Sequence, residues 1–249
     1  MEKIFTKQYL VRYYEADFRG TVSPVTMLDY FQDAASGHSL RLGHSVMDLR
    51  KKNMTWVLSR YHVRMLRFPG VGETLQVRTW RSAVEGVFAL REFELTDEMD
   101  NILALATSSW VIVNMDTKRP VKIESVFAEL PVHDTRALTD DFRTLEKSGE
   151  WAEEKSFRVR MGDLDMNRHV NHTVYVEWAL ESMPEDVLQN CRLSEIEISY
   201  RGEAFHGDTV LARTDRLGNY DPPSFLHQIT NARDGRELTR LKTIWQRCE

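Results

Sequence analysis

Cysteine is nearly absent from this chain. Two residues, Cys191 and Cys248, are too few for a disulfide framework or for a cysteine cage around zinc. Long apolar runs are missing too: the longest, Ile102 to Ala106, falls far short of the ~18 residues that a membrane span requires. Positive charge is not in excess, with 33 Lys and Arg against 38 Asp and Glu. The net charge of −5 argues against generic binding to nucleic acid or anionic membrane, a local basic patch aside. The stretch Met1 to Val11 carries Glu2, Lys3, Lys7 and Gln8 and has no apolar h-region, so no secretory signal is expected. Patterned sequence begins at once, which leaves no room for a transit peptide. No Gly-x-Ser-x-Gly elbow occurs, which argues against the serine nucleophile of an α/β-hydrolase. What is present is an ordinary globular composition in 249 residues, enough for one sizeable core or two small ones. A soluble cytoplasmic protein is expected.

The chain reads as two copies of one unit. Val11-Arg12, Asp17, Val22 and Asp29-Tyr30 match Val159-Arg160, Asp165, Val170 and Glu177-Trp178 at a constant offset of 148 residues. Gly72-Glu73-Thr74 and Trp110 match Gly207-Asp208-Thr209 and Trp245 at an offset of 135. Two matches in the same order, with one shortening between them, argue for duplication.

Each copy predicts a strand, a loop, a helix and several further strands. Phe157, Val159 and Met161 alternate with Arg158 and Arg160 as in a half-buried strand. Asn171 is the expected N-cap of a helix running to Met183, where Pro184 stops it. In the first copy Met27, Leu28, Phe31, Ala34, Ala35 and His38 fall on one helical face. Strands are expected at Leu75–Thr79, Phe88–Thr96 and Ile102–Val113. In the second copy they are expected at Glu195–Tyr200, His227–Ala232 and Glu237–Gln246, with Asp234-Gly235 as a hairpin turn. Trp110 and Trp245 are expected to pack the end strands, and His38 and His44 to be hydrogen-bonded or exposed. The fold class is α+β, two units in tandem, each an antiparallel sheet wrapped around a helix. The units span 1–130 and 155–249, and the polar segment 131–154 reads as a solvated connector with some helix.

Chemistry concentrates in Asp163-Leu-Asp165-Met-Asn167-Arg168-His169-Val-Asn171-His172, a polar loop between a strand and a helix N-terminus. Backbone N–H groups and the positive end of the helix dipole at such a junction suit a developing oxyanion. Capping and an Asx-turn would account for the same residue types. The matching loop of the first copy has Arg19 where the second has Asn167, and Thr21 where it has His169, which suggests one working copy and one degenerate copy. Glu203, just past the strand ending at Tyr200, stands where the first copy has Phe68. It reads as a buried general base whose pKa burial would raise, with His169 orienting the water or the carbonyl and Asn167 and Asp165 fixing that geometry. A zinc site of Asp165, His169 and His172 has no supporting ligand spacing.

Asp165-Met-Asn167-Arg-His169-Val-Asn171, the following Tyr175-Val-Glu-Trp178 and Tyr200-Arg-Gly-Glu203 resemble the acyl-acyl-carrier-protein thioesterases of plants and bacteria. Trp56-Val-Leu and Met115-Asp-Thr-Lys-Arg119 resemble the same family, and the likeness spans essentially the whole chain. It implies a tandem double hot-dog fold, hydrolysis of a fatty acyl-carrier thioester to free fatty acid and holo-carrier, and no metal or organic cofactor. Its catalytic set falls on Asp165, Asn167, His169 and Glu203. Plant members carry a Cys directly after that Glu, whereas this chain has Ala204, so a papain-like mechanism is not open to it. The missing transit peptide points to a bacterial cytoplasmic enzyme. Alternatives are an acyl-CoA thioesterase using the same residues, a hot-dog dehydratase, or a non-catalytic acyl-binding module.

The resemblance also implies that the first copy holds the acyl chain. Leu28, Phe31, Ala34 and Ala35 are the candidates, beside the small-residue run Ala34-Ala35-Ser36-Gly37, although close helix–sheet packing would explain that run equally. The implied partner is an acidic acyl carrier protein, which this acidic chain must meet through a local basic surface. Arg158, Arg160 and Arg168 are the candidates, with Lys118, Arg119 and Lys122 as a second cluster that reads more simply as surface charge. A homodimer is compatible with the sequence and not determined by it.

Overall fold

The computed structural model describes residues 2–127, 129–149, 151–218 and 221–248. The chain divides into two compact units, Met1–Asp141 and Phe142–Glu249. In unit 1, β1 (Ile4–Leu10) leads through a 3-10 turn (Tyr13–Glu15) to α1 (Pro24–Arg41) and the short α2 (Val46–Arg50). The strands β2 (Met54–Met65), β3 (Thr74–Glu85), β4 (Phe88–Asp97), β5 (Ile102–Asn114) and β6 (Pro120–Val121) follow. The sheet runs β1-β3-β4-β5-β2, antiparallel throughout, with β6 paired to β5. In unit 2, β7 (Glu153–Arg158), a 3-10 turn (Met161–Asp163), α3 (His172–Glu181) and α4 (Glu185–Asn190) precede β8 (Cys191–Tyr200), β9 (Thr209–Arg216), β10 (Ser224–Asn231) and β11 (Glu237–Arg247). Its sheet runs β8-β11-β10-β9-β7. Read from the other end, that is the order of unit 1 with each strand replaced by its repeat, and in each unit a helix lies on the sheet. This is the double hot-dog fold.

The long helix of unit 1 starts where local chemistry demands it. Ser23 Oγ accepts the Thr26 N–H at 3.1 Å, and Pro24 at the first helical position has no N–H to satisfy. The expected face, from Met27 to His38, is buried. The helix lies close to the sheet at Gly37, where a Cβ would stand 3.2 Å from the Phe5 ring. In unit 2, Asn171 caps α3 as expected, but the helix ends at Glu181, and Pro184 caps the start of α4 instead of merely stopping α3.

Other expectations fail for identifiable reasons. The strand through Phe157 ends at Arg158, because the Asp163 carboxylate draws the Arg160 N–H into a 3-10 turn, and Met161 is left exposed. Trp110 and Trp245 lie on the inner strands β5 and β11, where their indoles donate to Ser108 and Thr243, again 135 residues apart. His38 is hydrogen-bonded as expected, its Nε2 3.2 Å from Glu2 O, whereas His44 is buried with no partner at Nδ1 among the described residues. Segment 131–149 contains no helix among the described residues, and it is not a solvated linker. Leu138 and Leu145 are buried, and Thr135 O accepts from the Trp80 indole at 2.7 Å. Arg136 Nε meets the fully buried Glu92 carboxylate at 2.9 Å. A carboxylate at that depth needs a counter-charge, and this segment supplies it.

Candidate active site

The loop between β7 and α3 is built by its own carboxylates. Asp163, almost fully buried, accepts from the Arg160 backbone N–H at 2.7 Å and from its guanidinium at 2.8 Å. Asn171, at the loop's far end, donates its backbone N–H to Asp163 O at 2.8 Å and accepts the Thr173 N–H on its side chain. Between them Asp165 Oδ1 accepts from the backbone N–H groups of Asn167 (2.7 Å) and His169 (3.3 Å), an Asx-turn. The Asp165 N–H donates to His169 O, and the Arg168 N–H to Asp165 O, with Arg168 in the left-handed region at φ +62°.

Unit 1 repeats this network almost bond for bond. Asp17 Oδ1 accepts from Arg19 N and Thr21 N, Asp17 N donates to Thr21 O, and Gly20 occupies the left-handed position at φ +74°. Each loop is tied to the far side of its unit by matching backbone bonds. Val11 N donates to Glu73 O and Val159 N to Asp208 O, both at 2.9 Å, while Gly72 N and Gly207 N return the bond to Val11 O and Val159 O. Both glycines turn in the left-handed region, at φ +87° and +84°. Further along, Val22 N donates to Pro69 O and Val170 N to Ala204 O. The aspartate is therefore common scaffolding, and only the side chains mounted on it differ: Asn167 and His169 in unit 2, Arg19 and Thr21 in unit 1. Asp165 holds the loop's shape, and its second oxygen accepts from the Asn167 amide at 3.1 Å. Asp17→Ala and Asp165→Ala should each lower stability by about 1 kcal/mol, whereas only Asp165→Ala should lower kcat. Paired urea melts and turnover assays check this; equal kcat losses would contradict it.

Glu203 departs from expectation. Its side chain is 43% exposed rather than buried, so desolvation is not what equips it. The segment after β8 leaves the sheet and runs along the loop, held by Arg236 Nη2 donating to Glu203 O (3.1 Å) and Ala204 N donating to Tyr175 Oη (3.0 Å). This brings Glu203 Oε1 to 3.0 Å from His169 Nδ1. A carboxylate only accepts, so Nδ1 carries a proton, and in the neutral ring that tautomer leaves the lone pair on Nε2. The Phe205 edge meets the His169 ring at 5.0 Å between centroids and restricts its rotation. Asp165, Asn167, His169 and Glu203 thus converge. Neither Arg236 nor the Tyr175 contact was anticipated. Arg236 lies 33 residues from Glu203 on the β10–β11 turn, and no spacing pattern marks it.

The neighbouring groups stay neutral. Burial lowers the pKa of His172 to about 4 and raises those of Tyr175 and Tyr200, and the Tyr200 hydroxyl donates to His172 O at 3.1 Å. No group of three possible metal ligands assembles among the described residues. The α3 N–H groups of Thr173 and Val174 are occupied by Asn171, so these two are not open to an oxyanion.

The remaining candidates separate by environment. Leu28, Phe31 and Ala34 are fully buried and Ala35 nearly so, with Phe31 packed against Phe93 at 5.0 Å. A cleft of about 550 Å³ in unit 1 is lined by Tyr9, Glu15, Tyr30 and Asp33 among others, and by none of those four. Arg158 and Arg168 are exposed, whereas the charge of Arg160 is met by Asp163 in a bond that Arg12 and Glu15 echo in unit 1.

Two family models match the chain, the acyl-ACP thioesterase N-terminal domain over residues 2–130 and the C-terminal domain over 146–247. The chain belongs to the acyl-ACP thioesterase family. It is 26% identical to oleoyl-acyl carrier protein thioesterase 1 of Arabidopsis thaliana over 98% of this chain and 76% of the relative. Identity to the palmitoyl-acyl carrier protein thioesterase of Gossypium hirsutum is 31%, over 98% and 64%. The solved 12:0-ACP thioesterase of Umbellularia californica superposes with a TM-score of 0.90 at 26% identity, over 98% of this chain and 94% of that one. The thioesterase is a hydrolase of fatty acyl-carrier thioesters. No helix among its described residues is long and apolar enough to cross a membrane.

Proposed function

We propose that this thioesterase hydrolyses its substrate with water activated by the His169–Glu203 pair of unit 2. His169 Nε2 takes a proton from water as the water oxygen attacks the thioester carbonyl carbon, and the Glu203 carboxylate stabilises the imidazolium that forms. Asn167, its amide oriented by Asp165, donates to the developing oxyanion. Collapse of the tetrahedral intermediate breaks the C–S bond, and the His169 proton goes to the departing sulfur. The 3.0 Å contact between His169 and Glu203 carries this reading, because unit 1 builds the same loop with Thr21 in place of the histidine. Unit 1 is then the holder of the acyl chain, with Leu28, Phe31, Ala34 and Ala35 on its central helix.

The acyl carrier protein is the proposed partner, and Arg158 and Arg168, exposed on the strand and loop that carry the site, are its proposed contacts. The proposed setting is the bacterial cytoplasm; the bacterial part of that reading is favoured by the source of a matched structure at 25% identity, an oleoyl thioesterase from Lactobacillus plantarum. Release of free thiol and fatty acid from matched acyl-carrier and acyl-CoA panels tests the whole reading. Acyl-carrier turnover should exceed that of acyl-CoA and should fall as salt rises, since the screening length shrinks to ~8 Å at 0.15 M. Arg158→Glu with Arg168→Glu should raise KM for acyl-carrier about tenfold while sparing an acyl-pantetheine. Equal damage to both substrates would assign the arginines to folding.

A further inference from the structure

Two guanidinium groups lie inside unit 1 with no ion pair to a carboxylate among the described residues. Arg81 on β3 and Arg91 on β4 are direct cross-strand partners, 2% and 5% exposed. Like charges directly opposite repel, and a buried cation without a counter-charge is heavily penalised. Arg91 faces α1. Its Nη1 donates to Thr79 Oγ1 at 3.2 Å and lies 3.3 Å from His38 Nδ1, and its Nη2 reaches Ser39 Oγ at 3.5 Å. Arg81 shares the Thr79 face of β3 by strand alternation. Its guanidinium lies over the Trp56 ring at 5.9 Å, and its Nη1 is buried and meets no acceptor. The neighbouring imidazoles supply no negative charge, since burial holds His38 and His44 neutral with pKa values lowered to about 4. Arg81, lowered to about 10 by the same burial, remains charged at neutral pH. A buried carboxylate was at hand in Glu92, next to Arg91 in sequence, yet it points to the opposite face of β4 and pairs with Arg136. The cations on the helix face are left uncompensated by the fold itself.

We propose that Arg81 and Arg91 form an internal site for a carboxylate carried on an apolar chain. The planar guanidinium fork matches a carboxylate, and the surroundings are apolar, with Trp56 under Arg81 and the buried Phe93 two residues from Arg91 on β4. The site rests on the reading of unit 1 as the acyl-holding unit. The carboxylate has two sources of the same chemistry: the far end of a dicarboxylic acyl group, or the head of a free fatty acid released by the reaction.

Equilibrium binding to the full-length protein tests this without reference to turnover, with decanoate and its neutral isostere decanamide as probes. Decanoate should bind about tenfold more tightly than decanamide. The preference should persist in Glu203→Gln, whose loss of hydrolysis tests the catalytic reading separately. Arg81→Met should abolish the preference and raise the Tm of the unliganded protein, because an unpaired buried charge gives way to an apolar side chain of similar length. A purely structural Arg81 predicts a lower Tm instead. Equal affinity of the two probes for the unsubstituted protein would overturn the proposal, and so would an unchanged preference in folded Arg81→Met or Arg81→Gln. The sources separate kinetically. Faster hydrolysis of a 9-carboxynonanoyl-pantetheine than of decanoyl-pantetheine assigns the site to the substrate's far end. Inhibition of decanoyl-pantetheine hydrolysis by free decanoate, without that preference, assigns it to the product.

Discussion

Glu203→Gln is expected to lower kcat by about 10² to 10⁴ while leaving KM and stability close to their starting values. The amide keeps the shape of the side chain, and its 43% exposure means that no buried charge is left orphaned by the change. What disappears is the negative charge at 3.0 Å from His169 Nδ1, and with it the preference for the tautomer that leaves Nε2 able to accept a proton. His169→Ala should be at least as damaging. Cys191→Ser and Cys248→Ser should leave turnover nearly unchanged, since Cys191 opens β8 and Cys248 follows β11, both outside the loop and the 201–208 segment. Single-turnover release of thiol separates these outcomes from slow product release. Near-normal turnover by Glu203→Gln would remove Glu203 from the catalytic pair altogether.

The second large effect is on stability in mild acid. His38, His44 and His172 have pKa values lowered to about 4, and His227 to about 3, in each case because burial disfavours the charged ring. His227 is held between the Thr214 and Thr243 hydroxyls at 2.8 and 2.9 Å, a wholly neutral chain. Above the ordinary histidine value of about 6.5, the folded and unfolded chains are both neutral at these positions, so nothing is lost. Below it the unfolded chain binds protons that the folded chain refuses. Stability then falls by up to about 1.4 kcal/mol per pH unit for each histidine, until the folded values near 4 are reached. Four such groups act on a fold whose total stability is of the order of 5–15 kcal/mol, so unfolding is expected between about pH 5 and 4. Urea midpoints measured from pH 8 to 4.5 should be level down to about 6.5 and then fall steeply. A level profile down to pH 5 would show that these rings accept protons without unfolding the chain.

Strands with one apolar face were legible in the sequence, and strands without one were not. Ile196, Ile198 and Tyr200 alternate against glutamates, and β8 is where they placed it. β2 carries Ser59, Arg60, His62 and Arg64 among its apolar residues, and that mixture hid a twelve-residue strand. β7 is exposed along nearly its whole length, so alternation around Phe157 overstated its reach. The duplication was visible because the loop's backbone geometry depends on a few residue types, aspartate and glycine among them, that survive divergence. Three of the four candidate site residues could be read together because they sit on one short loop. The exposure of Glu203 was not, since burial depends on where a segment runs after it leaves the sheet, and Arg236 sets that from another hairpin. Arg160 looked like a free surface cation because its partner, Asp163, becomes its neighbour only once the 3-10 turn forms.

The backbone ties from Val159 to Gly207 and Asp208, and from Val170 to Ala204, have a consequence in time. Nothing within residues 160–171 alone brings Glu203 to His169; that contact exists only after the chain has folded α3, α4 and β8 and returned along the loop. Local turns and helices form in microseconds, whereas closures between residues so distant in sequence must first overcome chain entropy and come later. During refolding the helical signal should therefore return before hydrolysis does.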